Sequence, residues 1–559
     1  MSGLYDSENG LYTPAQLTKI RSYMKSELDR SMRMLKRPGH PRPYFLSYLF
    51  RNHRRETFWG RLGAIMEHVV QAQNNVFCDV RVGSYRYDNV REGGLHEDPE
   101  KQESYDYIPM PAECHEDAFK YGLWRLTDAR YREAAEEFYE RRSRELHFVD
   151  ANRQLPSRVR RSPVTALKSS RFEEIDVDYW RHLVRKAGAV TRKHTAIKTS
   201  WVDFTASHRQ SLYVDSEGSE QLRQQAVFEL RAHLWLLPAD GKAVLQELNL
   251  IEGDLHDLPS EKDFVKLIEE RIRLLGTLEK APHLHAYSGP VLLSPGAAGL
   301  FFHEVIGHRL EGSRLLSAEE GATFRDLQGK RIAPRFIDIV DDPTKRTFRG
   351  RSMIGHFLFD DEGNPARRAT LVERGVLESF LTGSGPLPGQ RELNGHARNA
   401  YHERPISRMG NLFVVNREPV APAELRERFL EEIRRQKKKY GIWVKETLGG
   451  ETGTSSYDFQ AFKGEIMHAV RVFADGREEP VRGVDFVGTP LSALDAILCM
   501  GDDDTLDNAW CGAESGTLPV STIAPSALLR NLELQAKRRE SLTQYAMPLP
   551  YEQGARRGA

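Results

Sequence analysis

Leu17, Ile20, Met24 and Leu28 recur at the spacing of one helix face. Thr13-Pro14 ahead of them offers an N-cap and a proline suited to the first turn, so the pattern predicts a helix over 13–36. Farther on, Phe58–Met66 and Val76–Val82 read as strands separated by polar joints. The polar, proline-containing stretch 91–115 reads as loop. Helical periodicity returns over about 115–145, 172–189 and 259–280. Between them, 198–252 is strand-like and is broken by turns at Asp215-Ser216-Glu217-Gly218 and Pro238-Ala239-Asp240-Gly241. From about 286 the chain is strand-dominated, apart from helices at 297–311, near 423–438 and near 491–499. These patterns predict an α+β protein, with a mixed helix/strand N-terminal region followed by a β-rich C-terminal domain. The expected divisions are 1–110, 111–285 and 286–559.

Composition narrows the function classes. The chain has 559 residues, 40% hydrophobic and 29% charged, an ordinary globular mixture. Lys+Arg and Asp+Glu each number 80, so the net charge is zero, which gives no reason to expect nucleic acid or an anionic membrane as partner. The basic run Arg434–Lys439 reads as the solvated face of a helix whose apolar side carries Leu430 and Ile433. Four scattered cysteines (Cys78, Cys114, Cys499, Cys511) make no disulfide framework and fit a reducing, cytoplasmic compartment. No secretory leader or membrane span is read from the sequence. The acidic runs Asp360–Pro365 and Asp502–Asp504 lack the spacing of a calcium loop and read as turns.

The segment Gly299–Gly312 carries the candidate chemistry, as His303-Glu304-Val305-Ile306-Gly307-His308. In the common zinc-protease motif two histidines lie four apart on one helical face. Here they lie five apart, which on a regular α-helix leaves the rings about 140° from each other. A widened, π-type turn brings residues five apart to one face, and Gly307 eases the distortion, so a π-bulge within 303–308 is expected. A catalytic zinc takes three protein ligands and leaves one position open. The residues leave the third ligand undecided among Cys511, Cys499, Glu311, His356, His396 and His402. Cys511 lies in a Gly/Asp-rich stretch that reads as loop, whereas Cys499 follows an apparent helix and reads as core. Glu304, beside a ligand, is placed to act as general base.

The C-terminal half resembles the TldD/PmbA peptidases, also known as modulators of DNA gyrase. The similarity runs beyond the His-Glu segment, through Asp360-Asp361-Glu362-Gly363 and Val376-Leu377, then Arg398–Tyr401 and Pro405–Asn411. It continues in Gly501-Asp502-Asp503, Cys511-Gly512 and Leu518-Pro519-Val520. The first half is similar more loosely, at Asp79–Gly83 and Leu212–Gly218. The resemblance implies that His303, His308 and Cys511 are zinc ligands and Glu304 the base. It implies a peptidase acting on unfolded or small peptides, with its site enclosed in a dimer chamber. The partner would be a second copy or an inactive TldE/PmbA-like subunit. The sequence departs from the family pattern at Gly449–Asp458 and at Cys511-Gly512-Ala513, and its first half is longer.

An extended peptide is expected to lie as an added strand near the metal, with Gly449 and Gly450 permitting close backbone approach. Arg408 and Tyr401 are expected to meet the substrate carboxylate or the oxyanion. The alternative reading is a non-catalytic, peptide-binding modulator subunit, against which the intact His-Glu motif and Cys511 both speak.

Overall fold

A computed structural model describes residues 10–90, 108–147, 154–317, 320, 323–455, 460–537, 541–545, 547 and 549. Most of the expected loop at 91–115 and residues 456–458 of the Gly449–Asp458 stretch lie outside these residues. The fold is α+β, with strands dominating the C-terminal half.

The N-terminal half is built on one twisted sheet. Strand β1 (Pro43–Arg61) pairs antiparallel with β2 (Ala64–Val82) on one side and with β4 (Ile197–Asp215) on the other. Strand β5 (Glu220–Leu236) then pairs with β4, β6 (Val244–Glu252) and the short parallel β3 (Thr165–Ala166). Strands from both sides of residue 110 therefore share a sheet. Strands β1 and β2 are far longer than the alternating segments read from the sequence. Residues 45–52 are buried without interruption, so the two-residue alternation that marks a one-sided strand is missing there.

Four helices cover one face of this sheet. Helix α1 (Pro14–Met34) is opened by a capping box in which Thr13 and Gln16 bond each other's backbone amides. It packs with α2 (Glu116–Arg144) on Leu46, Tyr48 and Phe50. At the other end, α3 (Val177–Ala189) and α4 (Glu261–Glu279) close over Phe58 and Phe204. These β1 residues are all even-numbered, as one face of a strand requires. The opposite face, with Arg51 on it, meets the C-terminal half: Arg51 donates to the carbonyl of Tyr401 (2.9 Å).

The C-terminal half holds a closed barrel and a second sheet. Strand Tyr440–Thr452 pairs with Ala286–Leu293, then follow Ala527–Ala536, Val484–Gly488 and Phe462–Phe473, which pairs back to Tyr440–Thr452. Closure leaves few free edges. The second sheet orders Val376–Leu377, Ala369–Glu373, Ile337–Asp341, Asn411–Asn416, Gly516–Ala524 and Thr505–Ala513. Between barrel and sheet lies α5 (Pro295–Phe302), whose Phe301 ring sits 5.6 Å from Phe462 in a shared core.

Two local expectations change. The helix near 491–499 stops at Asp495, and Cys499 belongs to the strand Ile497–Met500, packed in an apolar cluster with Phe429 and Leu528. Cys511 is on the strand Thr505–Ala513 rather than in a loop. Among the described residues no helix is long and apolar enough to cross a membrane.

Candidate metal centre

The helix carrying the motif changes pitch at the first histidine. Residues Pro295–Phe302 are α-helical, His303–Gly307 form a π-turn, and His308–Leu310 tighten to a 3₁₀ turn. The His308 amide reaches back to the His303 carbonyl, the five-residue bond that defines the widened turn. The two imidazoles stand 4.9 Å apart at 89°, on one face, as the five-residue spacing demands. Phe301, Phe302, Val305 and Ile306 are fully buried and fix the turn in place.

The strand Thr505–Ala513 brings Cys511 to this face. Its Sγ is 3.2 Å from His303 Nε2 and 3.3 Å from His308 Nε2. One ligand atom from each of the three lies within 4.8 Å of the others, and all three residues are buried. Zinc bonds of about 2.3 Å to sulfur and 2.0 Å to nitrogen set ligand–ligand edges of about 3.5 Å, so this donor set fits a zinc ion with little movement.

Charged neighbours tune each donor. Burial alone would raise the Cys511 thiol, but His308, His303 and Arg408 overcome it and hold the thiol well below its ordinary range. The thiolate is the form that binds metal. His308 Nδ1 lies 3.2 Å from Glu311 Oε1, which orients the ring and leaves Nε2 facing Cys511. Glu311 is fully buried. Burial would raise its carboxyl, yet His308 and Arg314 push it down to about 2. Glu304 lines the cavity beside the cluster, and its carboxylate makes no hydrogen bond among the described residues. Burial pushes it up from the usual carboxylate range, against the pull of His303 and His308. That is the direction a general base needs.

The cluster opens onto a cavity of roughly 780 Å³. One wall is Lys445–Thr452, which beyond Val444 loses its neighbour Ala286–Leu293 and keeps one partner strand. A second part of the lining comes from the N-terminal half, through Glu247–Leu250 of β6 and Arg271 of α4. Gly449 has open space where a side chain would be, while a Cβ at Gly450 would lie 2.7 Å from Glu304 Cγ. The two glycines therefore differ: one leaves backbone free, the other makes room for the Glu304 side chain.

The other candidates lie apart from the cluster. His396 is fully buried and sits 3.2 Å from Asp341, His356 bonds the Pro343 carbonyl, and Cys499 is in a separate core. His402 is not in the cluster.

Arg408 and Tyr401, expected to meet substrate, do not line the cavity. Arg408 is fully buried behind Cys511, donating to its carbonyl oxygen (2.8 Å) and lying 3.2 Å from its Sγ. Its remaining nitrogens meet Ser515, the Gly516 carbonyl and Glu311. Tyr401 sits at the junction of the two halves, its amide donating to Glu403 and its carbonyl accepting from Arg51.

Arg314 and Glu514 were not legible as site residues. Arg314 bridges Glu311 (3.0 Å) and Glu514 (2.9 Å) beneath the histidines. Glu311, three residues after His308, was the one local signal of this layer.

Residues 287–536 match the PmbA/TldA metallopeptidase C-terminal domain. A metalloprotease of Methanothermobacter thermautotrophicus is 29% identical over 381 residues, covering 66% of this chain and 76% of the relative. A zinc metalloprotease TldD homologue of Saccharolobus solfataricus is 25% identical over 359 residues, covering 63% and 74%. In structure, TldE from Thermococcus kodakarensis superposes with a TM-score of 0.58 at 12% identity, over 92% of this chain and 100% of that one. The C-terminal half of the chain belongs to the TldD/PmbA family, as its metallopeptidase C-terminal domain.

Proposed function

We propose that the chain is a zinc-dependent peptidase, with His303, His308 and Cys511 as ligands and Glu304 as general base. The observation that carries this reading is the convergence of His303 Nε2, His308 Nε2 and Cys511 Sγ beside an unbonded carboxylate. A binding subunit needs no such base. When bound, zinc supplies Lewis-acid polarisation of a scissile carbonyl and acidifies water. Glu304 takes the proton of the attacking water and passes it to the leaving amine. Glu311 holds His308, and Arg408 with Arg314 holds Glu311, so the donors are fixed before substrate arrives.

An unfolded or small peptide lies extended along the free edge of Lys445–Thr452, where Gly449 exposes backbone for strand addition. The working form is a dimer, either of this chain or with an inactive TldE/PmbA-like subunit, that encloses the cavity as a chamber. The C-terminal unit begins near residue 286, where the barrel's first strand starts.

The test is elemental analysis of the purified wild type and Cys511→Ala, alongside cleavage of casein. The reading expects about one zinc per chain, lost in the variant, and chelator-sensitive cleavage. A wild type that holds no metal after zinc is supplied overturns the peptidase reading in favour of a modulator subunit.

A further inference from the structure

Asp507 lies on the cavity-facing strand four residues before Cys511. On a strand, residues 507, 509 and 511 share a face, and four residues span about 13 Å. Asp507 therefore points with Cys511 toward the cavity that it lines. Its side chain is exposed to the solvent of that cavity. Among the described residues it has no hydrogen bond and no ion pair.

The cavity's own cations are already taken. Arg271 pairs with Glu446, Arg314 with Glu311 and Glu514, and Lys445 lies 3.9 Å from Glu478 and over the Trp443 ring. Arg351 pairs with Glu252. Asp507 is thus a carboxylate on the cavity wall with no ion pair to any cation among the described residues.

We propose that Asp507 selects a cationic group of the substrate, either a Lys or Arg side chain or the free α-ammonium of a peptide, within about four residues of the scissile bond. This rests on the peptidase reading above for the bond that is cut, but not for the binding preference. A carboxylate on the wall of the cavity favours a cationic group over a neutral isostere, because a hydrogen bond to a charged partner is stronger than one to a neutral partner. An isosteric neutral ligand leaves it unpaired.

The test uses the full chain loaded with zinc and Glu304→Gln as the binding form. The probes are fluorescein-labelled decapeptides of alanine and serine. Each carries one lysine, moved through successive positions, or norleucine in its place, with acetylated or free amino ends. Fluorescence anisotropy is expected to give a Kd about 10-fold lower for the cationic member of the best-placed pair. In Glu304→Gln/Asp507→Asn the ratio falls to about 1. A preference that follows lysine at one position identifies a side chain; one that follows the free amino end at any sequence identifies the α-ammonium.

A ratio near 1 in Glu304→Gln, or an unchanged ratio after Asp507→Asn, overturns the proposal, as does no measurable binding of any probe. The wild type is run on the same peptides by mass spectrometry. Binding with the expected preference but no cleavage would sink the peptidase reading and leave the role of Asp507 standing.

Discussion

Arg408 grips Cys511 at two points, donating from Nη2 to its carbonyl oxygen at 2.8 Å and lying 3.2 Å from its Sγ. The same guanidinium lies 3.2 Å from Glu311, which in turn holds His308. One buried cation thus orients two of the three candidate metal donors. Replacing it by the uncharged Arg408→Met leaves Glu311 without one of its partners. We expect a loss of about 3 kcal/mol in stability and a 10- to 100-fold weaker zinc affinity. Thermal unfolding with and without chelator, together with a zinc competition titration, reads both. Unchanged zinc affinity would show that the strand alone positions Cys511.

Gly450, on the strand Tyr440–Thr452, leaves room for the Glu304 side chain. An alanine there brings its Cβ to 2.7 Å from Glu304 Cγ and 3.0 Å from Oε1. The carboxylate has to move, while the donors of the metal cluster are untouched. Gly450→Ala should keep its full zinc content and lose casein cleavage by about 100-fold, the scale of a displaced catalytic group.

Glu304→Gln separates binding from chemistry. The amide occupies the same space and cannot take a proton. Zinc content should match the wild type and cleavage should fall at least 100-fold, in the range general-base catalysis contributes. Retained cleavage would move the role of base to another group.

Asp361 joins the two halves of the chain. It is buried, pairs with Arg223, lies 3.3 Å from Arg51 and accepts from the Asn399 amide at 2.9 Å. Burial alone would raise its carboxyl, yet Arg223 and Arg51 hold it well below the usual range. A depressed folded value means that the contribution is complete above the unfolded value of about 3.9 and fades as pH falls below it. Asp361→Asn leaves Arg51 buried beside a neutral group, at a cost of about 3–5 kcal/mol at pH 7. The melting-temperature gap between wild type and variant is expected to be widest near neutrality and to narrow below about pH 4. A gap independent of pH would mean that packing, not charge, carries the junction.

Local pattern settled much of what is local. The cap and apolar stripe of α1 were readable because a helix face repeats within a few residues. The π-turn was readable because two histidines five apart reach one ion only if the turn widens. Long strands were underestimated where both faces are covered, since burial on both sides erases alternation. Asp360–Gly363, read as an ordinary turn, does turn at Gly363 (φ 79°), but its carboxylates are buried against arginines of the N-terminal sheet. No feature of the turn itself says what packs on it.

From sequence alone came the α+β class, the His303–Glu304–His308 spacing with its widened turn, and the family likeness of the second half. The tertiary structure decided the rest. It set the Cys511 sulfur, which the resemblance implied but no local pattern placed, beside the histidines, turned Arg408 inward behind that sulfur, and set β6 and α4 as a wall of the cavity. Each of these depends on which strand lies beside which. Cys511 is 208 residues from His303, and strand order is fixed by burial summed over the whole chain, a quantity that no local window of residues contains.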